Sequence, residues 1–328
     1  MIHKSQSIPQ YTGKEWEVQP LEKTSFEKAV QRASNTSDHS VKFKSELILG
    51  DVIDVLSTLN NKQKFDVIIA DPPYNIGKDF GNGTGKKSIP EYVKWCNEWL
   101  QLCFQRLSDD GIIYIYGFPE ILARVSVMYP IDKQRWLVWH YTNKTVPSSK
   151  FWQRSHESIL CLWHSENIPD LQIEQIREPY TEGYKSAIGR TRAGTKSRFG
   201  NGKETVYSDN GGALPRDVIK IPALAGGAGA RERWFMCYEN DRQVLPPSQI
   251  KKYRDSQIMK HPTQKPMELT RRLIQSRIKG SSGRVLIPFA GSGSECVVAN
   301  ELGIEWLGIE INAEYVEFAQ KWIDQYTG

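Results

Sequence analysis

The chain has 328 residues, 39% of them hydrophobic and 25% charged, with a net charge of +5; that is enough for one large domain, or a domain plus an insertion, around a sizeable core. No apolar run approaches the roughly eighteen residues of a membrane span, and the first residues carry no apolar signal core, so neither membrane insertion nor secretion is expected and a cytoplasmic location is. Five scattered cysteines, Cys96, Cys103, Cys161, Cys237 and Cys296, form no Cys-x-x-Cys pair and have no histidine at ligand spacing, which argues against a disulfide framework and a metal site.

Residues 1–42 are polar, rich in Ser, Lys and Gln, and read as a loosely ordered arm or a short docking segment. A strand over 46–49 ends in Gly50-Asp51, and Val52, Val55, Leu56 and Leu59 then mark the apolar face of a helix. A second strand follows, so the unit is β-α-β and its crossover implies parallel pairing. Asp51 stands at a strand's carboxyl end, where it can meet a ligand amine or cap the following helix.

Residues 65–75 centre the chain: an apolar strand through Val67, Ile68, Ile69 and Ala70 stops in Asp71, Pro72, Pro73 and Tyr74. The prolines stiffen the corner and remove two backbone donors, leaving carbonyls that can accept. Asp71 and the Pro72 carbonyl can each take one hydrogen of an amino group, while Tyr74 offers a ring face to a flat base. The same residues also make a plain strand-to-loop stop.

Residues 76–88 hold four glycines and three lysines, Lys78 among them; they read as a cationic lid over the pocket or as disorder. A helix from Pro90 over 91–107, a turn at 109–111, a strand over 112–116 and a helix from Pro119 to 128 follow. Strands at 136–139 and 158–162 are joined by a loop carrying Lys144, Lys150, Phe151, Trp152 and Arg154. Its interleaved basic and aromatic residues suit a nucleic-acid surface, or a hairpin packing its own rings.

From about 166 to 260 the strand-helix rhythm is lost. Between Arg177 and Lys260, 16 Lys or Arg stand against 9 Asp or Glu, so the positive surplus of the chain is concentrated there. Such an insertion presents loops rather than a core of its own. Arg190, Arg192, Arg231 and Arg233 are its candidates for contact with a polyanion; a solvated loop region is the alternative.

His261-Pro262-Thr263-Gln264-Lys265-Pro266 restarts order, with Pro266 suited to a first helical position and Leu269, Leu273, Ile274 and Ile278 on one face. A strand over 284–289 then meets the glycine turn Ala290-Gly291-Ser292-Gly293-Ser294, a helix to Leu302, and a strand ending in Glu310. A nucleoside lies over such a turn with its ribose on the strand-terminal acid. The turn lacks the longer dinucleotide fingerprint, so a nucleoside without phosphates, such as S-adenosylmethionine, fits better than NAD.

Taken together, Asp71-Pro72-Pro73-Tyr74, then His261-Pro262-Thr263-Gln264-Lys265-Pro266, then Phe289-Ala290-Gly291-Ser292-Gly293 resemble the permuted β group of amino DNA methyltransferases of bacterial restriction-modification systems. The resemblance covers about residues 45–325. It implies an α/β fold, Rossmann-like and doubly wound, with a mostly parallel seven-stranded sheet, circularly permuted, and an inserted target-recognition region. The implied parts are an arm (1–42), a catalytic part (43–165), the basic insertion (166–260) and a cofactor part (261–328).

By matching position, the resemblance implies that Asp71, Pro72, Pro73 and Tyr74 hold the flipped base. S-adenosyl-L-methionine would lie against Asp51, Asp71, Thr263, Lys265, Phe289, Gly291, Ser292, Gly293 and Glu310, with Thr263 and Lys265 at its carboxylate end. Double-stranded DNA would be the partner, and a homodimer is frequent in the family. Ile287 departs from the family's usual Asp, and Ser294 stands where Thr is frequent. Asp at position 71 resembles the adenine-N6 enzymes; cytosine-N4 methylation, an RNA or protein methylase, and a silent DNA-binding module are the alternatives. No Cys follows a Pro, so no thiolate is placed for methylation of a ring carbon.

Overall fold

The computed structural model of the chain describes residues 43–75, 87–143, 148–194, 196–197, 200–224, 233–239 and 241–326. The arm at 1–42, most of the proposed lid with Lys78, and Lys144 and Arg231 lie outside them.

The first half of the chain supplies β1 (Glu46–Leu49), α1 (Val52–Thr58), β2 (Phe65–Ala70), α2 (Ile89–Arg106), β3 (Leu107–Gly117), α3 (Pro119–Ser126), β4 (Gln134–His140) and β5 (His156–Leu162). The insertion contributes β6 (Val218–Lys220), and the last part α4 (Met267–Gln275), β7 (Arg284–Ile287), α5 (Ser294–Glu301), β8 (Glu305–Glu310) and α6 (Ala313–Tyr326). Among the described residues these strands form one eight-stranded sheet, ordered β1-β8-β7-β2-β3-β5-β4-β6. Every neighbouring pair is parallel except the two made by β5.

Central strands of a sheet covered on both sides read as continuous apolar runs, and β2 does. Val67 and Ile69 enter one core with Val285, Ile287, Leu273, Val298 and Trp322; Ile68 and Ala70 enter the other with Leu286, Leu100, Phe104 and Leu122. Helices α4, α5 and α6 therefore cover one face and α1, α2 and α3 the other, the doubly wound arrangement. Ile287, 1% exposed, spends the position of the family's usual acid on core packing.

Three details differ from the expectations. Helix α2 begins one residue before Pro90, because Ser88 and Glu91 close a reciprocal cap with each other's backbone. The turn foreseen at 109–111 is part of β3, where a register irregularity opposite Phe65 and Val67 absorbs the polar residues. The seven strands gain an eighth because the insertion pairs Val218 to Lys220 with Val138 to His140 on the sheet edge.

The insertion has little apolar material of its own and borrows the main core, into which Ile219, Ile221, Met236 and Val244 are buried. Phe235–Cys237, Val244–Leu245 and Ile258–Met259 form a three-stranded antiparallel sheet. It lies beside α6, where Trp234 stacks on Trp322 at 5.6 Å and Arg242 meets Glu317 at 2.8 Å.

Candidate active site

Parallel strands point their carboxyl ends to one edge of the sheet, and ligands of open α/β sheets collect there. Asp71 follows β2, Phe289 to Gly293 follow β7, and Glu310 ends β8. One cleft is lined by Asp51, Asp71, Pro72, Pro73, Tyr74, Thr263, Lys265, Phe289, Gly291, Ser292 and Glu310. Counted to its open mouth it holds about 890 Å³ of empty space. Two corners 220 residues apart in sequence thus face each other, because β7 pairs with β2 through Val285 and Leu286.

The cofactor-side corner is built from backbone. Gly291 and Gly293 adopt φ of 52° and 81°, where side chains are strained. A Cβ on Gly291 would meet His261 Nε2 at 2.7 Å, and one on Gly293 would meet Ala319 Cβ at 2.5 Å. The Gly291 N–H donates to Glu310 Oε2 and the Asn312 N–H to Oε1, each at 2.8 Å, which aims the carboxylate along the turn. Burial raises the Glu310 carboxyl above its usual range, against those backbone donors. Phe289 packs on Trp95 and Trp99 of α2 with ring centroids at 5.7 and 5.1 Å. Asp51 accepts from the Ile53 N–H at 2.8 Å and so caps α1 while lining the cleft.

The other corner is built from charges. Asp71 Oδ1 accepts from the Tyr74 hydroxyl at 2.7 Å and Oδ2 from Lys265 Nζ at 2.6 Å. The Tyr74 hydroxyl also lies 2.8 Å from Glu157 Oε2, and Tyr141 donates to Glu157 Oε1 at 2.6 Å. Burial raises the Asp71 carboxyl, opposed by the Lys265 ammonium and assisted by the Glu157 charge. Burial alone would depress Lys265, but Asp71 and Glu157 outweigh it and hold the ammonium above its ordinary value. Tyr92 donates to the Pro73 carbonyl at 2.7 Å; among the described residues no donor meets that of Pro72.

Several sequence expectations need correction. Lys265, expected at the carboxylate end of the cofactor, lines the cleft but is 2% exposed and paired with Asp71, so a carboxylate ligand would have to share it. Tyr74 is 6% exposed, with the edge of Phe118 against its ring at 5.2 Å and the Lys265 ammonium 5.3 Å from its centroid. Its hydroxyl is drawn inward between two carboxylates, so little of the ring is left for a base to stack on. Arg233, a candidate for contact with a polyanion, is half-buried and donates to the His261 carbonyl at 2.6 Å. Lys150, Arg190 and Arg192 are exposed, as are Phe151 and Trp152, which therefore do not pack a hairpin core.

Among the cleft residues that went unassigned in the sequence are Trp95, His261, Gln264 and Glu295. Glu157 went unnoticed too, and its only signal was a carboxylate at the mouth of an apolar strand. Among the described residues, His261 Nδ1 and Gln264 Nε2 are buried without a hydrogen-bond partner. Unsatisfied buried polar atoms are costly, so this wall fits a ligand with polar groups of its own. The cleft accordingly has the room and the polar groups for a nucleoside carrying an amino-acid tail. All five cysteines are buried and unpaired, and burial pushes the Cys96 thiol up to about 12, remote from a thiolate nucleophile.

Comparison with known proteins agrees with this geometry. Residues 65–321 match the family model for N6/N4 methyltransferases, described as DNA methylase. The Haemophilus parainfluenzae type II methyltransferase M.HpaI is 27% identical over 85% of this chain and 74% of its own length. The Escherichia coli K12 DNA adenine methyltransferase YhdJ is 26% identical over 85% of this chain and 82% of its own. Among solved structures, the cytosine-N4-specific PvuII DNA methyltransferase superposes with a TM-score of 0.55 at 15% identity, covering 85% of this chain and 86% of that one. No helix of the described residues is long and apolar enough to cross a membrane. With its motifs on one cleft and most of its length inside the family match, the chain belongs to the N6/N4 DNA methylase family and is an S-adenosylmethionine-dependent DNA methyltransferase.

Proposed function

We propose that the chain methylates the N6 amine of a flipped adenine in double-stranded DNA, as the modification enzyme of a cytoplasmic restriction-modification system. The observation that carries the reading is Asp71, an acceptor at the end of β2, on the same cleft as Gly291 and Glu310. Adenine is favoured by Asp at the first motif position and by the adenine specificity in the name of the E. coli relative. Cytosine-N4 is the second reading, favoured by the fold shared with the PvuII enzyme.

The cofactor supplies an electrophilic methyl group. The chain's own residues act on the amine, whose lone pair is delocalised into the base and poorly nucleophilic. Asp71 and the Pro72 carbonyl accept its hydrogens and draw the nitrogen toward a tetrahedral shape. Positioning of this kind is worth roughly 7–11 kcal/mol of barrier when both reactants are held. Extruding the base from the duplex costs a few kcal/mol. Exposed Lys150, Arg190 and Arg192 offer charge to the phosphates, which would make binding fall steeply with salt. Glu310 would hold the ribose, and Gln264, with its free amide donor, takes with Thr263 the place at the carboxylate foreseen for Lys265.

In the same proposal, residues 43–165 and 261–328 form the methyltransferase body, residues 166–260 read the target, and the enzyme works as a homodimer. The test is Asp71→Ala assayed with tritium-labelled cofactor: methyl transfer is lost while cofactor binding remains. Retained transfer would refute the assignment. Digestion and mass spectrometry of DNA from expressing cells should give N6-methyladenine, and N4-methylcytosine would establish the second reading instead.

A further inference from the structure

Tyr74 has one hydroxyl hydrogen and two carboxylate oxygens within reach, Asp71 Oδ1 at 2.7 Å and Glu157 Oε2 at 2.8 Å. A phenol donates one hydrogen bond at a time. The remaining oxygen of each carboxylate is already held, Asp71 Oδ2 by Lys265 Nζ and Glu157 Oε1 by Tyr141, both at 2.6 Å. A carboxylate oxygen can accept two hydrogen bonds, so an incoming amine would share Asp71 Oδ1 with Tyr74, and each donor weakens the other's hold on that oxygen.

We infer that Glu157 is a positioning residue of the transfer step: it is the alternative acceptor to which Tyr74 turns its hydroxyl hydrogen, releasing Asp71 Oδ1 for the amine of the substrate. The exchange needs only rotation about the phenol C–O bond, because the heavy atoms are already at hydrogen-bond distance from both carboxylates. Glu157 is built to stay in place. It sits second in β5, opposite Trp139 of β4, with Tyr141 clamping one oxygen and Lys265 3.8 Å from the other. The Tyr74 ring is equally fixed, buried between Phe118 and Lys265. No covalent bond changes in this exchange. Its effect is to present the amine with an anionic oxygen that has shed a competing donor.

The inference rests on the reading of Asp71 as the amine acceptor, so the two are tested separately. Single-turnover methylation of unmethylated genomic DNA with tritium-labelled cofactor is measured for Glu157→Gln, Tyr74→Phe and the double variant, alongside the KM for DNA and calorimetric cofactor affinity. A neutral acceptor competes less well for the Tyr74 hydrogen. Glu157→Gln should therefore slow the step about tenfold, the difference between a charged and a neutral hydrogen bond, with KM and cofactor affinity unchanged. In the Tyr74→Phe background no hydroxyl competes, and Glu157→Gln should cost less than about twofold, since the pair shares one interaction. Should Glu157→Gln not fold, Tyr141→Phe, which loosens the clamp on Oε1, should slow the step less and likewise lose its effect when Tyr74 is Phe. Full additivity, or a wild-type rate for Glu157→Gln, overturns the inference. Retained transfer in Asp71→Ala would instead refute the reading of the site.

Discussion

The two corners of the cleft solve opposite problems. After β7 the chain makes a surface out of backbone, two glycines in left-handed conformation against His261 and Ala319, and the Glu310 carboxylate is satisfied by N–H groups. After β2 the backbone is stiffened by Pro72 and Pro73, and the surface is made of charges, Asp71, Glu157 and Lys265, packed with Tyr74 and Tyr141. The first corner is intolerant of added atoms and the second of a removed charge. That contrast matches the proposed tasks, in which one corner would hold a nucleoside by shape and the other would stabilise an altered electron distribution on nitrogen.

The sharpest way to break the contrast is Lys265→Met. It leaves Asp71 and Glu157 buried together without a counter-charge, and removal of one partner of such a cluster costs about 3–5 kcal/mol. Denaturant unfolding should show that loss, with methyl transfer abolished and cofactor affinity in the surviving folded protein within about threefold of wild type. Gly291→Ala should do the reverse. Strain at φ of 52° and the approach to His261 together cost about 2 kcal/mol. Calorimetry should show cofactor affinity falling more than about tenfold, with the rate at saturating cofactor largely kept. If both variants lose both properties, the division of labour between the corners is wrong.

The response to pH sharpens the picture on the cofactor side. Burial pushes Glu295 from its usual 4.5 up to about 7, so the native state holds a proton that the unfolded chain releases. Its contribution to stability is whole below pH 4.5 and is lost as pH rises toward 7, at about 1 kcal/mol per unit. Burial pushes His261 the other way, from 6.5 down to about 3; its contribution is whole above pH 6.5 and is lost as pH falls toward 3. The two slopes oppose each other between pH 4.5 and 6.5. Glu295→Gln should therefore make stability rise more steeply with pH across that window, measured by denaturant titration; an unchanged slope would mean that Glu295 titrates normally. Smallest of all is Arg242→Ala. Its pairs with Glu314 and Glu317 are partly exposed, so thermal melting should register at most about 0.5 kcal/mol.

Much of this molecule was legible along the chain because its signals are local. Apolar runs ending in Asp71 or Glu310, prolines after a strand, and glycines between a strand and a helix carry their meaning within a few residues. The strand-helix alternation likewise predicted a parallel sheet, which pairing of β2 with β7 and of β1 with β8 bears out. The misreadings share a different cause. Lys265 was assigned from its motif, yet its partner is 194 residues away. Glu157 sits 83 residues from Tyr74 and belongs to no pattern of its own. The insertion's eighth strand carries so short an apolar signal that only the open edge of β4 gives it a place.

Local sequence chemistry was sufficient to name the elements, the two corners and the class of ligand, because backbone preference and hydrophobic periodicity act over one or two turns of chain. Which charges neutralise one another was settled by folding alone. Electrostatic partnership depends on distance through space and on exclusion of water, and neither exists until the sheet has brought β2, β5 and the segment before α4 together.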